Sequence, residues 1–323
     1  MKIALVLPYF GKFDSLFPLW LESCRYNSDI DWLLFTDDKR NFNYPHNVKV
    51  VYIAFEALRD RIQCLYDFPV ALDSPYRLCN FRPAFGEIFE KELNGYDAWG
   101  FCDNDMIFGQ LIPNFPMFKQ KFKGGAFGHL SFVPNTDEVR TLYRYHDAYK
   151  IAFSNSELLF FDENTFPKIL ESHGYEIYHF HIADFQPRRK NFRVLNEPGL
   201  EWKNKGHCFV WSEGKLWRYY IGNQREIEKE EYVYIHFLKR PIAVDKNLSF
   251  SKPVVIVPNR IFNIDYAEIT PDFLKKNSAN GIFWAYWKNS FKPKNFVERV
   301  KNRLFQNKRN RTLINKMNHL VLK

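Results

Sequence analysis

Tyr96-Asp97-Ala98-Trp99-Gly100-Phe101-Cys102-Asp103-Asn104-Asp105-Met106-Ile107-Phe108-Gly109 is the stretch whose reading decides the fold. Ala98 to Cys102 is short, mostly apolar and free of helical periodicity, the pattern of a strand buried on both faces of an α/β sheet. Asp103 and Asp105 fall at its carboxyl end, where open α/β sheets bind ligands, and carboxylates one residue apart can turn together toward one hard cation. Gly109 reads as a sharp turn away from the strand. Acid-x-acid pairs also occur by chance, as in Asp29-Ile30-Asp31 and Glu90-Lys91-Glu92. Asp103 and Asp105 differ in lying between two apolar segments, where ionised groups need a partner. A helix cap or turn pair is the competing reading.

Outward from this strand, Ile3–Leu7 and Ile30–Phe35 are further apolar runs, each delivering a polar loop, Pro8-Tyr9-Phe10-Gly11 and Thr36-Asp37-Asp38, to what should be the same sheet edge. Val48–Ile53 reads as a third strand and Glu56–Tyr66 as an amphipathic helix. The β-α-β-x-β rhythm is that of a nucleotide-binding half. Neither G-x-G-x-x-G nor G-x-x-x-x-G-K-[ST] is present, which argues against a dinucleotide site or a P-loop.

Arg77, Asn80 and Arg82 crowd polar groups onto an otherwise apolar segment just before the carboxylate strand. Cations there could neutralise phosphates that a metal also holds, or could simply snorkel from a surface helix. Further on, Gly124–Asn135 reads as a loop into a strand, Thr136 to about Tyr149 as one helix, and Phe160–Asn164 as an apolar-then-acidic lead into a helix over Phe166–Ser172. Cys208–Trp211 and Leu216–Tyr220 flank a Gly-containing turn and predict a hairpin, and Tyr232–Pro241 a late strand carrying His236 and Lys239.

The formal charge is +9, but residues 288–323 hold 11 of the 46 Lys/Arg and one of the 37 acids, leaving the body at 35 basic against 36 acidic. A nucleic-acid enzyme should carry its basic groove on the body, so no nucleic-acid partner is expected. Phe296, Val297, Val300, Leu304 and Phe305 recur at helical spacing among Arg299, Lys301, Arg303, Lys308, Arg309 and Arg311. That pattern predicts a basic amphipathic tail for an anionic membrane face, against a plain solubilising end. Five cysteines without metal-type spacing fit a reducing cytoplasm. The N-terminus reads as the first strand, with too short an apolar core for a signal peptide.

Taken together, the Pro-Tyr-Phe-Gly loop, Thr36-Asp37-Asp38, Arg77–Gly86, Asp103–Gly109 and a late His236-Phe237 resemble bacterial GT-A-type glycosyltransferases, in particular a set found in polysaccharide gene clusters. The resemblance spans roughly residues 1 to 240. It implies a GT-A-like, Rossmann-type mixed sheet with flanking helices, followed by a C-terminal hairpin region and a basic helical tail. Residues 1–287 would form one catalytic domain, with 1–110 as the nucleotide-sugar half and 111–287 as the acceptor half, and 288–323 the tail.

By the same resemblance Asp103, Asp105 and His236 hold Mn²⁺ or Mg²⁺, which bridges the diphosphate of a nucleotide sugar, UDP-sugar first among them. Imidazole among the ligands mildly favours manganese. Asp37 and Asp38, with Thr36, Pro8, Tyr9 and Phe10, would receive the base or ribose, although two aspartates also fit a plain turn. Asn104 and Lys239 join Arg77 and Arg82 as substrate-binding candidates. Asn80 stands where such enzymes often carry Asp against the donor sugar. His129, Asp162 and Glu163 lie where acceptor-facing loops would be and are the candidate catalytic groups; a packing histidine and a helix N-terminal charge pair are the alternatives. The acceptor would be a glycan or lipid-linked glycan met at the inner membrane face. A nucleotidyltransferase also uses carboxylates and metal, but would carry a Gly-rich phosphate loop near the first strand, which Pro8–Lys12 is not.

Overall fold

The structure is a computed structural model that describes residues 1–114, 121–180, 182–184, 193–194, 207–222, 224–237, 242–257, 260–278 and 296–321. The apolar runs form the strands expected of them. β1 (Ile3–Tyr9), β2 (Ile30–Thr36), β3 (Val48–Tyr52) and β4 (Ala98–Cys102) lie parallel in the order β3-β2-β1-β4. The parallel register pairs Tyr9 with Thr36 and Val6 with Phe101, so the carboxyl ends of β1, β2 and β4 share one edge.

β5 (Met106–Phe108) leaves that edge. β6 (Phe122–Phe127), β7 (Leu130–Pro134) and β8 (Glu176–Tyr178) extend the main sheet to seven strands, β7 antiparallel to both β4 and β6, with β8 parallel to β6. The fold is thus α/β, with a large mixed sheet and helices on its faces.

Alternation along β1 and β2 divides the core. Ala4, Val6, Leu33 and Phe35 face the helices of residues 55–63, 78–88, 137–153 and 161–172. Ile3, Leu5, Leu7, Trp32 and Leu34 face the helix Phe17–Arg25, including Trp20. Buried side chains on both faces explain why these strands read as continuous apolar runs.

Three expected elements are shaped differently. The single helix expected from Thr136 stops at Leu142, because His146 and Asp147 adopt left-handed backbone before a second helix, Ala148–Phe153. Thr136 does cap its start, accepting the Val139 N–H at 3.2 Å. Phe161–Asn164 is itself a helical turn that carries Asp162 and Glu163.

β9 (Ile182–Asp184) and β10 (Arg193–Val194) belong to a small second sheet. β11 (His207–Ser212) and β12 (Lys215–Ile221) form the expected hairpin around Glu213-Gly214, both left-handed. The late strand expected from Tyr232 is two strands that break at Val233: β13 (Ile227–Tyr232) pairs with β12, and β14 (Tyr234–His236) crosses into the small sheet against β5 and β9. β15 (Ala243–Val244), β16 (Val254–Val257) and β17 (Arg260–Asn263) complete a six-stranded third sheet.

Gly109 has a physical reason other than a turn. Its backbone passes so close to β13 that an added Cβ would stand 2.6 Å from the Tyr232 carbonyl oxygen.

The C-terminal helix runs Phe296–Val321. It is not only an appendage: Met317 and Val321 are buried, and Leu313 and Ile314 pack beside them, in the same core as Phe161, Phe166 and Ile169. The backbone of the stripe 296–305 is helical, and its side chains lie outside the described ones. Among the described residues, no helix is long and apolar enough to cross a membrane.

Candidate metal centre

Two strand pairings bring the site together. β14 runs antiparallel to β5 with His236 opposite Met106, and the Phe237 N–H donates to the Asp105 carbonyl at 2.8 Å. On the other side, Cys102 pairs with Leu130 across β4 and β7, and the Asp103 N–H donates to the His129 carbonyl at 2.9 Å. Trp20 Nε1 donates to the Asp103 carbonyl at 3.1 Å and fixes the turn from below.

The result is a cluster of Asp103, Asp105 and His236 in which one ligand atom from each lies within 4.8 Å of the others. His236 Nε2 is 3.5 Å from Asp105 Oδ1 and 3.7 Å from Asp103 Oδ2. Two ligands bound cis to one octahedral cation stand about 3 Å apart, so only a small inward movement separates this set from a coordination shell. Two carboxylates and one imidazole suit Mn²⁺ or Mg²⁺ better than a soft metal. Burial and the neighbouring Asp105 raise the Asp103 carboxyl, against Arg82 and His236, which act the other way.

Arg82 is the hinge between this cluster and a second one. Its guanidinium lies over the Phe101 ring, pairs with Asp103 on one side, and on the other donates to Asp162 Oδ2 at 3.1 Å and the Gly128 carbonyl at 2.6 Å. Asp162 is 2% exposed. Burial raises its carboxyl and Arg82 opposes the rise. Glu163 has an open outer surface, while its carboxylate accepts the Gly128 N–H at 3.2 Å. Desolvation of that carboxyl, then the charge on Asp162, push it up to about 7.

Gly128 permits this approach. A Cβ there would stand 2.5 Å from both Asp162 Oδ2 and Glu163 Oε1.

His129 takes a supporting place rather than the catalytic one expected of it. It is 6% exposed and its ring stacks on His236, centroids 4.1 Å apart. Burial first, then His236 and Arg82, hold it well below the usual imidazole value, so it stays neutral and braces the His236 ring.

Asn80 is also corrected. It is 1% exposed, donates to the Ala152 and Glu157 carbonyls at 3.3 and 3.1 Å, and accepts the Leu159 N–H at 3.0 Å. The amide ties a loop to the core and is closed to a donor sugar. Asn80→Ala is expected to cost about 1–3 kcal/mol in urea unfolding, because it strands buried backbone groups. Arg77 is likewise turned elsewhere, donating to Asp73 Oδ1 at 3.0 Å, so that of the two arginines expected there Arg82 alone meets the cluster.

At the neighbouring strand ends, Asp38 is buried and clamped by Arg40 and by the Phe13 N–H at 3.1 Å. The Arg40 hydrogen bonds hold it well below the carboxylate range, so it organises the loop instead of meeting a ligand. Thr36 Oγ1 accepts the Asp38 N–H at 3.1 Å in the same turn. Asp37 is exposed and accepts the Gly11 N–H at 2.7 Å, holding the first loop against the second. Pro8, Tyr9 and Phe10 are half-buried at that edge, and the Tyr9 hydroxyl meets the Asn104 side chain between the two aspartates. Lys239 lies outside the described residues.

Two participants escaped the sequence reading. Lys123 is 1% exposed, donates to Ser131 Oγ at 2.8 Å and to the Gly125 carbonyl, and faces Asp162 and Glu163. Burial draws its ammonium down to about 8. Tyr76 is 52% exposed beside Asp103, Asp105 and Arg82. Gly124, Gly125 and Gly128, just before His129, were the one sequence signal that backbone approaches something closely here.

The molecule is therefore an α/β protein with a carboxylate–imidazole cluster at the carboxyl edge of parallel strands. Residues 5–265 match a family described as a family of unknown function, DUF6625, and the chain belongs to that family. No curated protein matches it.

Proposed function

We propose that the protein is a metal-dependent glycosyltransferase that moves a sugar from a nucleotide-diphosphate donor, UDP-sugar first, to a glycan or lipid-linked glycan in surface polysaccharide synthesis. The observation that carries this reading is the convergence of Asp103, Asp105 and His236 at one sheet edge beside a mostly buried arginine. Mn²⁺ or Mg²⁺ held there would offset the charge that builds on the departing diphosphate.

The chain's own groups have distinct parts in the reading. Arg82 orients Asp103 and supplies a second positive charge at the phosphate side. Tyr9 and Asn104 line the approach from the first loop, and the exposed Asp37 faces the ribose. Glu163 is the group to take the acceptor proton. A carboxyl that ionises at about 7 is a stronger base than an ordinary one and is half ionised near neutral pH. Turnover should accordingly rise with pH through about 7, and Asp162→Asn, by removing a neighbouring negative charge, should move that limb to lower pH.

The direct test is hydrolysis and transfer of UDP-sugars with Mn²⁺, with Mg²⁺ and with EDTA. Product formation that EDTA leaves untouched would refute metal dependence.

The C-terminal helix fits a peripheral place on an anionic inner membrane face. Arg309 and Arg311 are exposed on it, and each basic residue near a charged bilayer adds on the order of 1 kcal/mol. Because Leu313, Ile314, Met317 and Val321 pack in the core, the informative variant is charge reversal rather than deletion. Arg299, Lys301, Arg303, Lys308, Arg309 and Arg311 changed to Glu should abolish co-sedimentation with phosphatidylserine vesicles and spare donor hydrolysis in solution. Vesicle binding that survives reversal would remove the helix from this role.

A further inference from the structure

The helix that carries Asp162 and Glu163 is a single turn, Phe161–Asn164, too short to hold its own geometry. Its first residue follows a left-handed Phe160, and its last carbonyls point toward the C-terminal helix. With its amide oriented so that both ends are satisfied, Asn318 donates to the Asn164 carbonyl at 3.2 Å and to Thr165 Oγ1 at 3.0 Å, and accepts from Lys168 Nζ at 3.0 Å. Thr165 is fully buried, and Met317 and Val321 flank the contact at 0% and 3% exposure. One side chain from the far end of the sequence thus ties off the end of the acidic turn and links it to the next helix.

We infer that Asn318 is a positioning residue for the Asp162–Glu163 pair, and that the C-terminal helix completes the site instead of merely following it. The functional part of this inference rests on the role given to that pair above; the structural part does not. The path is short and continuous: Asn318 to the Asn164 carbonyl and Thr165, one turn back to Glu163 on the Gly128 N–H and Asp162 on Arg82, and Arg82 to Asp103. Loss of the tie frees the far end of the turn from the C-terminal helix and leaves it held by Asp162 on Arg82, Glu163 on the Gly128 N–H and the Asn164 amide on the Leu159 carbonyl. Small displacements at such a site are costly, since misplacement by about 1 Å can lower a rate by up to 10²-fold.

The test uses the full chain with ¹³C-labelled glutamate, the Glu163 carboxyl being assigned by Glu163→Gln. Asp162 on the same turn, and Arg82, Lys123 and Asp103 from the elements around it, set the midpoint of Glu163 in the wild type. Asn318→Ala removes the amide, Thr165→Val removes the hydroxyl at nearly constant volume, and Thr165→Ser keeps it. The first two are expected to move the Glu163 midpoint down by about half a unit or more, toward the ordinary carboxyl value, as the turn loosens and water reaches the group. Thr165→Ser should keep the wild-type midpoint, and Mn²⁺ affinity should stay within about twofold in all three, since the metal residues lie on other elements.

Turnover in Asn318→Ala should fall about tenfold with little change in KM for the donor. A Glu163 midpoint unchanged in both Asn318→Ala and Thr165→Val would overturn the inference. A shifted midpoint with wild-type turnover would uphold the positioning of the pair by Asn318 and count instead against Glu163 as the base.

Discussion

Asp105→Ala is expected to lower metal-dependent donor turnover by about 10³-fold, the rate equivalent of the several kcal/mol that a correctly placed divalent cation contributes. The melting temperature should not fall with it. Asp105 shares its corner with Asp103, and the tie from this residue to β14 runs through its backbone carbonyl, which alanine retains. Asp103→Ala would be a less clean experiment, because Asp103 also faces Arg82 and its loss disturbs two clusters at once. Steady-state kinetics of UDP-sugar hydrolysis, with a thermal melt of the same sample, checks both halves of the expectation. A variant that melts as wild type and turns over as wild type would show that the carboxylate has no part in the chemistry.

Arg82→Met should have the largest effect on stability. The arginine is mostly buried between Asp103 and Asp162, and its removal leaves the two carboxylates, with Glu163 beside them, without the cation that bridges them; the Lys123 ammonium then faces Asp162 and Glu163 from one side only. Breaking a buried pair in this way costs about 3–5 kcal/mol. The sign of the pH dependence follows from the charges. Arg82 lowers the carboxyls it touches, so its stabilising effect is present while they are ionised and is lost as they take up protons. Urea unfolding should therefore show the widest gap between wild type and Arg82→Met above the Glu163 value of about 7, narrowing as pH falls. Added Mn²⁺ should narrow it too, because a cation at Asp103 replaces part of the missing charge. A gap that does not depend on pH would mean that Arg82 acts by packing on Phe101 rather than by charge.

Much of this site was legible because its parts sit at the ends of parallel strands. Ala98–Cys102 is buried on both faces, so it reads as an apolar run, and whatever polar residues follow such a run reach the ligand edge. That pattern put Asp103, Asp105 and Asp37 at that edge, where the structure has them. Arg82 and Asp162 are 80 positions apart, and their contact depends on the Gly128 loop folding between them, a pairing that no local pattern encodes. Asn80 looked like a ligand for the same reason that it is a good clasp: a polar side chain on an apolar segment must find partners, and here the backbone of residues 152–159 supplies them. Lys123 was invisible because a lysine within a strand ordinarily faces water. The late strand was legible as apolar but not as two pieces, since the break at Val233 that aims His236 at the aspartates is set by two different sheets competing for one segment.

The most direct measurement is a Mn²⁺ titration followed by electron paramagnetic resonance, with UDP present, on wild type, Asp105→Ala and His236→Ala. One tightly bound Mn²⁺ per wild-type chain is expected, with binding that weakens as the pH is lowered because imidazole and carboxylate must shed protons to ligate, and with loss of that ion in both variants. Mn²⁺ bound equally well by all three proteins, or by none of them, would contradict it.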